Sequence, residues 1–155
     1  MLALQGVPGI YVHSLIGSHN NHAGLAETGR ARTINREKWQ RTLLEQRMAD
    51  PQSHERQVFE QIKRLIRARR HHPAFHPNAP QRVLELGEGL FALLRGASGN
   101  GQVLCLQSVS HHPQTVDLKH SGLNGKLRDL ISGMDVVTNS MLGLEPYAVC
   151  WLATV

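Results

Sequence analysis

Charge is absent from the first 26 residues of this 155-residue chain: no Lys, Arg, Asp or Glu precedes Glu27. Long apolar runs are absent as well. None approaches the roughly 18 consecutive apolar residues that span a bilayer. Met1-Leu2-Ala3-Leu4 is too short, with no basic residue ahead of it, for a secretory signal. These absences predict a cytoplasmic protein that does not bind membranes. Cysteine is scarce, and both residues, Cys105 and Cys150, lie inside apolar runs ("QVLCLQ", "AVCWLA"). That argues against a disulfide scaffold and predicts buried, reduced thiols. Aromatic residues make up 5% of the chain, and beyond residue 72 they are Phe75, Phe91, Tyr147 and Trp151. A sugar-binding surface needs ring faces open to solvent, so a carbohydrate-binding module would have to be built from these four. No Ser-His-Asp or Cys-His constellation has a local signature, and no internal repeat is visible.

The charge that is present lies in the middle. Residues 27–72 hold twelve of the 17 Lys and Arg and six of the 12 Asp and Glu, whereas 73–155 is close to neutral. In "KRLIRARRHH" the cations interleave with an apolar stripe and not with stacking aromatics, so the stretch reads as a solvated helix face and no nucleic-acid partner is expected. Histidines invite a metal reading: His13, His19 and His22, then His71, His72 and His76, then His111 and His112. A metal needs ligands that converge from a rigid frame. The i, i+3 pair His19 and His22 sits in a Gly/Asn-rich stretch, so no metal and no cofactor is expected. "GEGLFALLRG" is not a dinucleotide motif, because Gly87 and Gly89 lead into a strand pattern.

Gly6-Val7-Pro8-Gly9 reads as a turn, and the apolar Ile10–Leu15 segment after it as a short strand. Residues 16–35 lack periodicity and are expected to form a long loop, of the length that is usually functional. A helix is predicted over Lys38–Ala49, with Trp39, Leu43, Leu44 and Met48 near one face. Asp50-Pro51 looks like a cap followed by a first-turn proline. The clearest element is a helix over 54–71, where Val58, Phe59, Ile62, Leu65 and Ile66 form one stripe. Pro73, Pro77 and Pro80 stiffen a linker over 73–80. From Gln81 the apolar period changes to two, predicting strands at "RVLEL", "GLFALLR", "QVLCLQSV", "QTVDL", "DVVT" and "PYAVCWLA". Asn100-Gly101 and Asn124-Gly125 are hairpin-turn signals.

Three stretches, "GVPGIYVHSLIGSHNNHAG", "TGRARTINREKW" and "RLIRARRHHPAFHPNAPQRVLELGEGLFALLR", resemble the C-terminal third of the sucrose phosphorylase-like branch of the α-amylase superfamily, glycoside hydrolase family 13. That branch holds sucrose, sucrose 6-phosphate and glucosylglycerate phosphorylases. The resemblance implies a mixed α/β plus all-β chain: residues 1–72 as the last βα unit of a (β/α)8 TIM barrel, then the linker, then a C-terminal antiparallel β-sheet or sandwich over 81–155. Ile10–Leu15 would be strand eight and 16–35 the loop following it, on the face where such barrels build active sites.

Members of that branch transfer a glucosyl unit from an α-glucoside to phosphate with retention, which takes two carboxyl groups about 5 Å apart. By the resemblance these acids belong to strands four and five, so none is assigned here. The 155 residues alone are expected to be a severed, inactive piece whose uncovered barrel face promotes self-association and disorder over 1–50. One position carries over. "ARTINR" aligns with a Gly-Arg-Asp-Ile-Asn-Arg type stretch of the loop after strand eight, which places the acceptor-site arginine at Arg32, with Thr33 at the aspartate position and Ala31 at the glycine. A guanidinium suits phosphate or a glycerate carboxylate equally. Arg30 and Arg36 are alternatives, Arg36 having Glu27 and Glu37 as candidate partners, and His13 could approach the sugar.

Overall fold

Period-two patterning does build strands from Gln81 onward. The computed structural model describes residues 1–98, 101–138 and 140–155. It divides into two units, one formed by Met1–Pro8 with Leu65–Val155 and the other by Gly9–Arg64. In the first unit the strands are β1 (Gln81–Leu84), β2 (Leu90–Arg95), β3 (Val103–Ser108), β4 (Gln114–Asp117), β5 (Lys126–Asp129), β6 (Asp135–Val137), β7 (Met141–Leu144) and β8 (Val149–Thr154). Six form an antiparallel sheet in the order β1-β2-β3-β8-β5-β6, and β4 pairs with β7 in a second sheet.

Register decides which side chains meet. Ala92 opposite Leu106, Leu94 opposite Leu104 and Leu106 opposite Cys150 put these residues on one face of the large sheet. There they pack with Val116, Leu118, Leu127 and Leu144 into the main core. Alternation sends Leu93, Cys105 and Trp151 to the other face, where Phe75 lies with its ring centroid 4.6 Å from that of Trp151. Both cysteines are buried and unbonded to each other, as expected. Burial pushes the Cys105 thiol up to about 12, with Arg95 and Arg69 opposing the shift. Burial, assisted by Asp129, also raises that of Cys150.

Sequence reading overlooked β5 and β7. "KLRD" has one apolar residue, yet Leu127 and Asp129 point inward, and β6 and β8 flank the strand on both edges. Asp129 is buried because its carboxylate accepts from the backbone N–H of Trp151 (2.8 Å), Ile131 (3.2 Å) and Ser132 (3.0 Å). Asn124-Gly125 is not a hairpin turn. β5 pairs with two strands that follow it, and Gly125 closes the β5–β6 ladder against Thr138. Of the other turn signal, Asn100 lies outside the described residues, although β2 and β3 do pair as a hairpin would require.

The second unit is helical. Its elements are α1 (Val12–Leu15), α2 (His22–Thr28), a 3-10 turn (Ala31–Asn35), α3 (Arg41–Ala49) and the first part of α4 (His54–His71), whose remainder belongs to the first unit. The expected strand over Ile10–Leu15 is therefore corrected to a single helical turn. A strand needs a ladder partner for its N–H and C=O groups, and no described strand pairs with this segment. Leu15 and Ile16 instead donate to the carbonyls of Tyr11 and Val12. The barrel-strand assignment finds no support in this geometry. Helix α3 starts three residues later than expected, leaving Trp39 ahead of it. Ser53, and not Asp50, caps α4: its Oγ accepts from Arg56 N–H at 3.1 Å. Among the described residues no helix is long and apolar enough to cross a membrane.

Candidate functional site

The stretch expected to be a long loop is capped and folded. Asn21 Oδ1 accepts from Gly24 N–H at 2.8 Å and starts α2, while Gly29, at a φ of 64°, ends it in the left-handed conformation. A residue lacking a Cβ takes that φ most readily. Asn21 also donates its own N–H to the Ile34 carbonyl at 2.7 Å, so one residue ties the helix start to the following 3-10 turn. The Thr28 hydroxyl lies 2.9 Å from that of Thr33 and donates to the Gly24 carbonyl at 2.7 Å. Tyr11 Oη donates to the Asn35 carbonyl at 3.3 Å. An Asn-to-Gly capping pair eight residues apart was the readable signal for this helix.

Arg32 rides on this turn, exposed, with no hydrogen bond or ion pair among the described residues. Arg30 and Arg36 are likewise exposed, and neither Glu27 nor Glu37 pairs with Arg36 among the described residues. Thr33, at the aspartate position of the motif, is engaged locally by Thr28. An uncommitted guanidinium on an anchored turn can offer its planar fork to an oxyanion without first breaking an internal bond. His13 is turned inward: its Nδ1 lies 3.0 Å from Ser18 Oγ, which also accepts from Trp39 Nε1 at 2.9 Å. His19 stacks on His54 at 4.9 Å, and His54 Nε2 bonds the Gly17 carbonyl at 2.9 Å. Among the described residues no three His, Cys, Asp or Glu side chains converge as metal ligands.

Sequence reading missed a second arginine feature, in the first unit. Arg69 donates to the main-chain carbonyls of Leu2, Leu4 (3.2 Å) and Gly6 (2.6 Å). Arg95, fully buried on β2, donates to the carbonyls of Ala3 (2.7 Å) and His76 (3.3 Å). Their Cζ atoms lie 5.6 Å and 5.8 Å from the Phe75 ring centroid, so both cations stack on one ring. Burial lowers both guanidinium pKa values, and Arg69 lowers that of Arg95 further. A cation flanked by apolar residues in the sequence reads as surface, and nothing local announced that main-chain carbonyls would bury it. Phe75 and Trp151 are closed to solvent, at 3% and 1% exposed, which leaves Phe91 and Tyr147 as the open aromatics of that unit.

No family model matches the chain. Curated proteins do. A glucosylglycerate phosphorylase of Allomeiothermus silvanus is 40% identical over 152 residues, 98% of this chain and 25% of that protein. The chain is a relative of the glucosylglycerate phosphorylases. A glucosylglycerate phosphorylase of Escherichia coli is 32% identical over 98% of the chain, and one of Spirochaeta thermophila is 47% identical over 74% of it, covering 26% and 20% of those proteins. The chain thus spans about a quarter of the length of these relatives. Its fold is similar to part of AmyP in complex with maltose (TM-score 0.55, 21% identity, 64% of this chain and 20% of that one). It is also similar to part of the trehalulose synthase MutB of Pseudomonas mesoacidophila (TM-score 0.52, 19% identity, 70% and 19%). These likenesses are of fold alone, and they suit an antiparallel sheet domain.

Proposed function

We propose that this chain is part of a cytoplasmic retaining α-glucosyl phosphorylase, in which residues 1–72 belong to the catalytic barrel, 73–80 link, and 81–155 form a structural β-domain. The match to glucosylglycerate phosphorylases along 98% of the chain carries the reading. In it, phosphate and an α-glucoside of glycerate meet at a site to which this chain contributes Arg32. An oxyanion must approach a carboxylate nucleophile there, and a free guanidinium on the adjoining turn offsets the repulsion. The two catalytic carboxyls belong to other residues of the intact enzyme. Apolar residues such as Tyr11 and Val12, 47% and 56% exposed, are covered there by the remainder of the barrel, and in its absence promote self-association.

Two measurements test this. The purified 155 residues should form no glucose 1-phosphate from glucosylglycerate and phosphate, and clear turnover would refute the division of labour. A chimera in which this chain replaces the matching residues of the A. silvanus enzyme should be active. Arg32→Ala in that chimera should raise KM for phosphate or glycerate about tenfold, the loss of one charge-assisted contact. An unchanged KM would remove Arg32 from the acceptor site.

A further inference from the structure

We propose that a concavity at the C-terminal end of α4, in the first unit, binds a phosphate-type oxyanion. The cavity is about 370 Å³, and its lining includes Arg69, Arg70, His71, His72 and His76 with Phe75 as part of its wall. Among the described residues no Asp or Glu lines it. Five cationic or titratable nitrogen side chains around one cavity with no carboxylate form an unbalanced set.

The buried charge beneath the site is unbalanced too. Arg69 is 8% exposed and Arg95 is fully buried, and the partners named for them are main-chain carbonyls, not carboxylates. Carbonyl dipoles orient a guanidinium but do not cancel its charge, and buried charges are ordinarily paired. The C-terminal end of α4 opposes an anion with about half a negative charge. Arg69 and Arg70 at that same end bring two full positive charges, so the sum favours the anion.

The histidines are set as donors. Ala74 N–H donates to His72 Nδ1 at 3.3 Å, and Asn78 N–H donates to His76 Nδ1 at 3.2 Å. With Nδ1 accepting, the proton of each neutral ring sits on Nε2. Burial lowers the His72 pKa, and the neutral ring still donates through that Nε2–H. Arg70 is exposed and makes no hydrogen bond or ion pair among the described residues, so its fork is uncommitted. Two rings with Nε2–H left to donate, an uncommitted guanidinium and a buried cation line one cavity, a donor set suited to phosphoryl oxygens. Inorganic phosphate and a sugar phosphate share that chemistry.

Calorimetric titration of the full chain with inorganic phosphate, and separately with a hexose 1-phosphate, against a chloride control tests the site. The expected result is saturable one-to-one binding. Equal affinities would identify free phosphate as the ligand, and tighter hexose phosphate binding a phosphorylated sugar. The pair His72→Asn and His76→Asn keeps a side-chain acceptor for the Ala74 and Asn78 N–H groups while removing both Nε2 donors. This double variant, and separately Arg70→Gln, should bind about tenfold more weakly with an unchanged thermal midpoint. Absence of saturable binding, or binding untouched in both variants, overturns the proposal. So does binding that Arg32→Ala abolishes while these variants retain it, because that assigns the anion to the acceptor-site turn.

Discussion

The two units hold themselves together in different ways. In the first, Leu93, Val103, Leu104, Cys105, Leu106, Leu127 and Leu152 are completely buried. In the second, Ile16 and Ser53 are the buried residues among those described, at 7% and 6% exposed. Its order comes from caps and short-range hydrogen bonds, such as those of Asn21, Thr28 and Ser53. Burial of a core makes order cooperative and costly to undo, whereas local hydrogen bonds open one at a time. The first unit thus carries a buried core, whereas apolar residues of the second, Val12 and Leu43 among them, remain half exposed.

The sharpest way to break the contrast is to remove one large side chain from each unit. Trp151→Ala takes away the ring that packs on Phe75 and should cost about 3–5 kcal/mol, the range for a buried aromatic. Leu43→Ala, at a residue 43% exposed, should cost about 0.5 kcal/mol or less. Urea unfolding followed by circular dichroism measures both, and comparable losses would sink the distinction. Native-state hydrogen exchange should agree, with β3 and β8 amides protected far longer than those of residues 12–35.

A smaller effect sharpens the same point inside the second unit. A Cβ at Gly24 would stand 2.5 Å from Asn21 Nδ2 and 3.0 Å from Thr33 Cγ2. Gly24→Ala should therefore push the Asn21 amide off the helix start, costing about 1 kcal/mol locally, as loss of an N-cap does. Exchange at residues 22–35 should accelerate while the midpoint of the β-domain stays where it was. A shift of that midpoint would show that the turn carrying Arg32 is cooperative with the sheets.

What sequence reading reached follows the strength of the apolar pattern. Helix 54–71 and six of the strands were legible because their apolar positions repeat with a period that only one kind of element satisfies. Strand β5 was not, since its Asp129 is buried by accepting from Trp151 N–H, 22 residues away on β8, as well as from Ile131 and Ser132 just beyond it. The Arg69–Phe75–Arg95 stack was invisible for the same reason: the carbonyls that accept from the two guanidiniums belong to residues 2–6 and 76. The strand expected at Ile10–Leu15 failed in the opposite direction. Its pattern states a preference for ladder partners, and without them the backbone closes a helical turn. Arg32 was singled out through its motif, but the Asn21, Thr28 and Tyr11 bonds that fold the segment around it are not encoded in that motif.

The smallest expected effect tests how little surface charge adds to the stronger unit. Asp135 on β6 bonds Arg128 on β5 at 2.8 Å and 3.3 Å and pairs with Lys126 at 2.7 Å. The Arg128 hydrogen bond, then that of Lys126, lowers the Asp135 pKa to about 2. A carboxylate whose folded value lies below its unfolded one stabilises the fold at neutral pH. That contribution fades as pH falls from about 4, the ordinary aspartate value, through about 2. The pair is solvated, and about 1 M salt screens it within roughly 3 Å. The difference in thermal midpoint between the wild type and Asp135→Asn should therefore be small at pH 6, shrink towards pH 2, and nearly vanish in high salt. A large difference that salt leaves intact would mean that β6 depends on this ion pair far more than its exposure allows.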